Sequence, residues 1–298
     1  MPDVRGQVTA LTYRAGAAAA QRVPGSLATP IARVLGRASS ALMPAQRRMA
    51  ARHQRRASAN GHAGRAGVDG VFDSYGRYWL EMLRLPAEVR SGAVLSHITV
   101  DGFEHVEAGL AAGKGVIIAL PHLGGWEWGG AWMALRGNRV MAVVERIEPP
   151  ELFEWFAAQR AEMGIDIVPL GDDVSREVLR GLRDNRIVCL LCDRDLEGDG
   201  VEVEFFGERT TLPAGPALLS LRTGAALLPT AVYFRPGRDH RGVVRPPIAV
   251  ERTARLRDDV SRITQQLAHE LERLIREAPE QWHLLQPNWP SDRSGGGT

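Results

Sequence analysis

Residues 115–127 read Gly115-Val116-Ile117-Ile118-Ala119-Leu120-Pro121-His122-Leu123-Gly124-Gly125-Trp126-Glu127. A short apolar run bounded by glycine and proline reads as a buried strand. The paired glycines permit a tight turn, and residues 124–135 read as the helix behind it. Strand, glycine turn and helix are the repeating unit of an α/β fold, whose ligands and catalytic groups collect just beyond the strand ends. His122 sits at that place.

The same alternation continues outward. Strands are expected at 139–144, Ile165–Pro169, 187–192 and Ala226–Phe234, separated by a helix with Pro149 and Pro150 at its start, a helix near 174–182 and another from Pro213 onward. Leu256–Glu277 carries Val260, Ile263, Leu267, Leu271 and Leu274 at helical spacing. The fold class read from this pattern is α/β, with a mostly parallel central sheet and helices on both faces. Upstream, 71–85 reads as a helix ended by Pro86, and Gly61, Gly64, Gly67 and Gly70 as a flexible connection before it. The polar, glycine-rich tail at 291–298 is expected to be disordered.

Charge divides the 298-residue chain. Residues 1–68 hold eleven arginines against the single acid Asp3, a net of +10, which leaves −8 for the remainder of a chain whose formal total is +2. Within 8–42, Ile31, Val34, Leu35, Ala38 and Leu42 fall on one apolar stripe flanked by Arg33 and Arg37. This basic, helical segment is expected to associate with an anionic membrane surface, and 69–290 to form the main domain. The rival for such charge, a nucleic-acid arm, lacks any accompanying recognition motif, so no nucleic acid is expected as partner. No uncharged apolar run approaches the ~18 residues that span a bilayer. Arg5, Arg14 and Arg22 interrupt the alanine-rich start, unlike a signal peptide. The expected location is the cell membrane, peripheral on its cytoplasmic face.

Cys189 and Cys192 form a C-x-x-C, but inside a strand-like run their side chains point to opposite faces, which argues for packing rather than redox chemistry. His122 and Glu127 are five apart, a spacing that can return a carboxylate to the imidazole, fix its tautomer and leave the other nitrogen as a general base. With 8 histidines and 35 acids in 298 residues, about one such pair is expected by chance. The spacing carries weight only through its company.

That company is Cys192-Asp193-Arg194-Asp195, Phe205-Phe206-Gly207-Glu208-Arg209-Thr210 before Pro213-Ala214-Gly215-Pro216, and Gln281-Trp282-His283-Leu284-Leu285-Gln286-Pro287-Asn288-Trp289. In this order the motifs resemble the bacterial lauroyl-type lysophospholipid acyltransferase family over nearly all of 74–289. Glu145, Arg160 and Arg194-Asp195-Leu196 are similar to its phosphatidylinositol mannoside branch. The resemblance implies an acyl-CoA co-substrate, a phosphatidylinositol mannoside glycolipid as acceptor, and no metal or other cofactor. It implies His122, Glu127 and Asp193 as catalytic residues, and Glu145, Arg160, Arg194 and Asp199 as substrate-binding ones. Two positions depart from the pattern: a glutamate is expected where Asp193 stands, and an acid where Arg222 stands. Competing readings are acylation of a lipid A precursor or another glycolipid, and a non-catalytic lipid- or CoA-binding protein.

Overall fold

The computed structural model describes residues 4–58, 65–171, 173–196 and 198–293. Helices α1 (Val4–Arg22), α2 (Gly25–Ser39), α3 (Pro44–Ala57), α4 (Arg65–Arg90) and α5 (Ala93–Ser96) come first. Alternation follows through β1 (Ile98–Asp101), α6 (Glu104–Ala111), β2 (Val116–Leu120), α7 (Trp126–Leu135), β3 (Val140–Val144), α8 (Pro150–Glu162), β4 (Ile165–Pro169), α9 (Val174–Arg183) and β5 (Ile187–Leu191). A hairpin of β6 (Val201–Phe205) and β7 (Glu208–Leu212) leads to α10 (Gly215–Thr223), β8 (Ala226–Phe234) and β9 (His240–Val244). The chain closes with α11 (Leu256–Glu277) and α12 (Pro290–Arg293).

The main sheet has seven strands in the order β1-β9-β8-β2-β5-β3-β4, and only the β8–β9 pair is antiparallel. Both faces are covered, as the continuous apolar runs require. Side chains alternate between the faces. Ile117, Ala119, Val188 and Leu227 pack with α9, α10 and α11, whereas Val116, Ile118, Ile187 and Leu228 pack with α4, α6 and α7. The cysteines obey the same rule. Cys192 joins the first cluster and Cys189 the second. Burial pushes the Cys189 thiol up to about 12 and raises Cys192 as well, so both are inert packing groups.

Several expectations are corrected. α4 runs through Pro86 to Arg90 instead of ending there. Leu85 is buried in the core and Glu88 is tied to Arg84 and Arg238, so tertiary contacts hold the turn across the missing N–H donor. Gly67 and Gly70 belong to α4 rather than a flexible connection, while Gly61 and Gly64 lie outside the described residues. The expected boundary at 68 therefore falls inside a helix. In the expected disordered tail, 290–293 form a helical turn whose Asp292 is buried against His53 and Arg56 of α3. Residues 294–298 lie outside the described residues.

The helical segment before the sheet packs on α4 through its smallest residues. A Cβ on Gly36 would meet the backbone of Phe72 and Gly76, and one on Gly76 the backbone of Ala32. Because α2 spends its small side on α4, its large side chains face outward. Leu27, Ile31, Val34 and Leu35 are each more than half exposed, and Leu42 just beyond is 86% exposed.

Candidate active site

His122 follows β2 by two residues, and Asp193 follows β5 by two. These strands are adjacent and parallel, with Leu120 in register with Leu191. Equal offsets past a shared register bring the two loops together at the carboxyl edge of the sheet. The imidazole Nδ1 lies 2.7 Å from Asp193 Oδ1, and the His122 backbone N–H donates to Oδ2 at 3.0 Å. A carboxylate can only accept, so Nδ1 carries the ring proton and Nε2 keeps its lone pair. The His122 side chain is 29% exposed, whereas that of Asp193 is fully buried. Burial alone would raise the Asp193 carboxyl. The charge and hydrogen bond of His122, the Trp282 indole N–H and the His122 backbone N–H outweigh it and hold it below the usual range.

The acid on His122 is therefore Asp193, where the sequence reading placed Glu127. Glu127 forms instead a two-pronged pair with the Arg160 guanidinium, one prong being Nε to Oε2 at 3.2 Å. Burial opposes the Arg160 charge, and the Glu127 carboxylate more than restores it. Arg160 thus serves Glu127 first. The cause lies in α7: it begins only at Trp126, which puts Glu127 in its first turn, facing α8 rather than the preceding loop.

The remaining residues fall as follows. Glu145 leaves β3 at the same sheet edge and is exposed, as is Asp199 ahead of β6. Arg194 stands half-buried next to Asp193 and carries no ion pair among the described residues. Arg222 lies in the last turn of α10, exposed. The shorter acid at 193 reaches the imidazole without strain in distance. Among the described residues no group of three or more His, Cys, Asp or Glu could hold a metal ion.

Sequence reasoning missed the groups behind Asp193. Trp282 donates its indole N–H to Oδ2 at 2.8 Å, and Asn288 donates its amide to the Asp193 carbonyl at 3.0 Å. No spacing rule links residues 89 and 95 positions apart. His283, next along, hydrogen-bonds Ser74 at 2.8 Å. Burial, then the nearby His122, lowers its imidazole to about 3, so it stays neutral.

Beside the dyad opens an apolar cavity of about 70 Å³, lined by Ile118, Leu120, Trp126, Trp132, Met133 and Val232 among others. Trp126 links it to the imidazole: its ring is part of the lining and stands edge-on to His122 with centroids 5.7 Å apart. Tyr78 stacks on the other side of that indole at 4.3 Å, which fixes it. A base one indole away from an apolar cavity suits a reaction between a polar nucleophile and an apolar substrate.

A family model described as bacterial lipid A biosynthesis acyltransferase matches residues 8–291. The chain is 44% identical over 226 residues to a phosphatidylinositol mannoside acyltransferase of Mycobacterium tuberculosis, covering 74% of this chain and 70% of that protein. The protein of that name from Mycolicibacterium smegmatis is 40% identical over 225 residues, covering 74% of this chain and 71% of its own length.

Proposed function

Since this chain belongs to the bacterial lipid A biosynthesis acyltransferase family and is an acyltransferase, we propose that it moves a long fatty acyl group from acyl-CoA to a mannose hydroxyl of a phosphatidylinositol mannoside. The observation that carries this reading is the Asp193–His122 pair, with Nε2 unbonded among the described residues and Trp126 reaching from the imidazole to an apolar cavity.

In this reading the first carbons of the acyl chain enter the cavity, with the thioester beside Trp126 and His122. His122 Nε2 accepts the proton of the incoming sugar hydroxyl as its oxygen bonds to the thioester carbonyl carbon. Asp193 stabilises the imidazolium that results. The tetrahedral intermediate collapses, the C–S bond breaks, and the imidazolium returns its proton to the departing thiolate. The products are an ester and free CoA thiol, with no acyl-enzyme. A positioned base of this kind contributes roughly 10² to 10⁴ in rate. Arg194, half-buried and without an ion pair among the described residues, supplies a guanidinium for a phosphate of either substrate. Glu145 stands exposed at the same edge and Asp199 exposed ahead of β6, both available to sugar hydroxyls. The Glu127–Arg160 pair borders the cavity through Glu127 and holds α7 against α8.

The acceptor is a lipid, and the outward stripe of α2 is the surface that meets its bilayer. Leu27, Ile31, Val34, Leu35 and Leu42 recur at helical spacing and are all more than half exposed. The net +10 of 1–68 favours an anionic leaflet, each cation near the surface contributing about 1 kcal/mol. Attachment is peripheral in this reading, on the cytoplasmic face. No helix among the described residues is long and apolar enough to cross a membrane.

The test incubates purified protein with palmitoyl-CoA and vesicles containing phosphatidylinositol mannoside. Free thiol appearing only with acceptor, matched by a glycolipid one acyl chain heavier, is the expected result. Thiol release that ignores the acceptor would make the protein a thioesterase, and no release would leave a binding protein.

A further inference from the structure

The dyad is not held by its own two loops alone. One stretch of the carboxyl-terminal chain, residues 281–289, touches both halves of it. Trp282 donates to Asp193 Oδ2, and Asn288 donates to the Asp193 carbonyl. The His283 backbone N–H donates to the His122 carbonyl at 2.7 Å, and the Gly124 N–H donates to the Gln281 carbonyl at 2.9 Å. Leu123 and Trp282 form an isolated antiparallel bridge. Trp289, at the end of the stretch, is fully buried, donates its indole N–H to the Phe205 carbonyl and stacks on Phe205 at 5.6 Å, with no bond to either member of the dyad among the described residues.

Trp282 has a particular place in this arrangement. Among the described residues, Asp193 Oδ2 takes two N–H donors, from the His122 backbone and from the Trp282 indole, while Oδ1 takes only the imidazole. Two donors on one oxygen fix the rotation of the carboxylate, and the other oxygen is left aimed at Nδ1. They also share the negative charge of a side chain that is wholly removed from water. Remove the indole donor and the carboxylate can turn, and its charge concentrates on the ring proton.

We propose that Trp282 is a positioning residue for the acyl-transfer reaction, orienting the Asp193 carboxylate that sets the tautomer of His122. The proposal deepens the acyltransferase reading and rests on it. Trp282 touches neither substrate nor the reacting atoms, and it acts through Asp193.

Trp282→Phe removes the N–H and keeps an aromatic ring, and Trp289→Phe is its matched control, since Trp289 is as buried but donates elsewhere. Both variants should melt below the wild type. Only Trp282→Phe should lose kcat, by about tenfold, the worth of a hydrogen bond to a charged group, with KM for acyl-CoA little changed. Only in that variant should the acid limb of the kcat/KM–pH profile move to higher pH, because the carboxylate draws the ring proton more strongly. A kcat and acid limb equal to those of Trp289→Phe would overturn the proposal. A second measurement needs neither turnover nor a stable tryptophan variant. In the ¹H–¹⁵N spectrum, Asp193→Asn should shift the Trp282 indole resonance and leave that of Trp289 in place. An unmoved Trp282 resonance refutes the contact. A wild type without acceptor-dependent turnover would count against the acyltransferase reading instead, and the spectrum reports on the carboxylate in either case.

Discussion

Asp193→Asn preserves the shape of the side chain and changes what it can accept. In the wild type Oδ2 receives two N–H groups, at 3.0 and 2.8 Å, and Oδ1 receives one at 2.7 Å. All three partners are donors. An asparagine has one acceptor oxygen, which satisfies most donors when it occupies the Oδ2 place. Its NH₂ then faces Nδ1, and two donors cannot share that contact. The ring relieves the conflict by moving its proton to Nε2, the nitrogen that has to accept the proton of the sugar hydroxyl. The analogous change in serine-protease triads lowers kcat by roughly 10⁴, about 5.4 kcal/mol at 1.36 kcal/mol per decade, and a loss of that size is expected here. The assay is acceptor-dependent thiol release at saturating palmitoyl-CoA, paired with ¹⁵N spectra of labelled histidine to locate the ring proton. Glu127→Gln is the comparison. It should leave the proton on Nδ1, because Glu127 is bonded to Arg160, and should cost about 3 kcal/mol of stability by leaving that guanidinium buried and unpaired. An Asp193→Asn protein that keeps its Nδ1 proton and turns over within tenfold of wild type refutes the reasoning. So does a tautomer change in Glu127→Gln.

Two further predictions concern the rest of the molecule. Replacing Ile31, Val34 and Leu35 together by serine removes the middle of the outward stripe without touching the face on α4. Co-sedimentation with anionic vesicles should fall at least tenfold while turnover of a water-soluble acceptor analogue persists, and equal losses in the two assays would place α2 in the catalytic machinery. Acid should unfold the protein in two stages. His283 is lowered to about 3 by burial, so an unfolded imidazole takes up a proton near pH 6.5 that the folded one refuses, and stability declines as pH falls from there. Asp193, Glu81 and Asp292 are held below the carboxylate range, so their contribution is present above about pH 4 and is lost below it. Calorimetry from pH 8 to 3 should show a shallow fall in Tm and then a steep one, and a Tm that is flat down to pH 4 would remove the His283 share.

Much of the architecture is legible because both faces of the sheet are covered. Its central strands are uniformly apolar, and Ile165–Pro169, Ala226–Phe234 and Leu256–Glu277 stand where the pattern puts them. The strands at the other edge are harder to see: β1 and β9 are four and five residues long and contain Asp101, His240 and Arg241. The β6–β7 hairpin did carry a signal, the alternation Val201-Glu202-Val203-Glu204-Phe205, with Phe206 and Gly207 both at positive φ in the two-residue turn. Pro86 fails as a stop signal because tertiary contacts outweigh one lost helical hydrogen bond.

The site divides along the same line. His122 is legible from its place after a strand, a local property. Its acid is not, since Asp193 becomes its neighbour only through the pairing of β2 with β5. Glu127 looked right because it is near in sequence, and α7 turns it away. Had the register of the two strands been known, the equal offsets of 122 and 193 would have identified the pair. Trp282 and Asn288 depend on the path of the final segment around the sheet edge, which no local pattern encodes.

The most direct test of the account replaces His122 by alanine and follows acceptor-dependent thiol release from palmitoyl-CoA in a variant whose Tm and circular dichroism match the wild type. Release should fall at least 10²-fold, the lower bound for losing a positioned general base. A folded His122→Ala protein that still esterifies the glycolipid at the wild-type rate would contradict it.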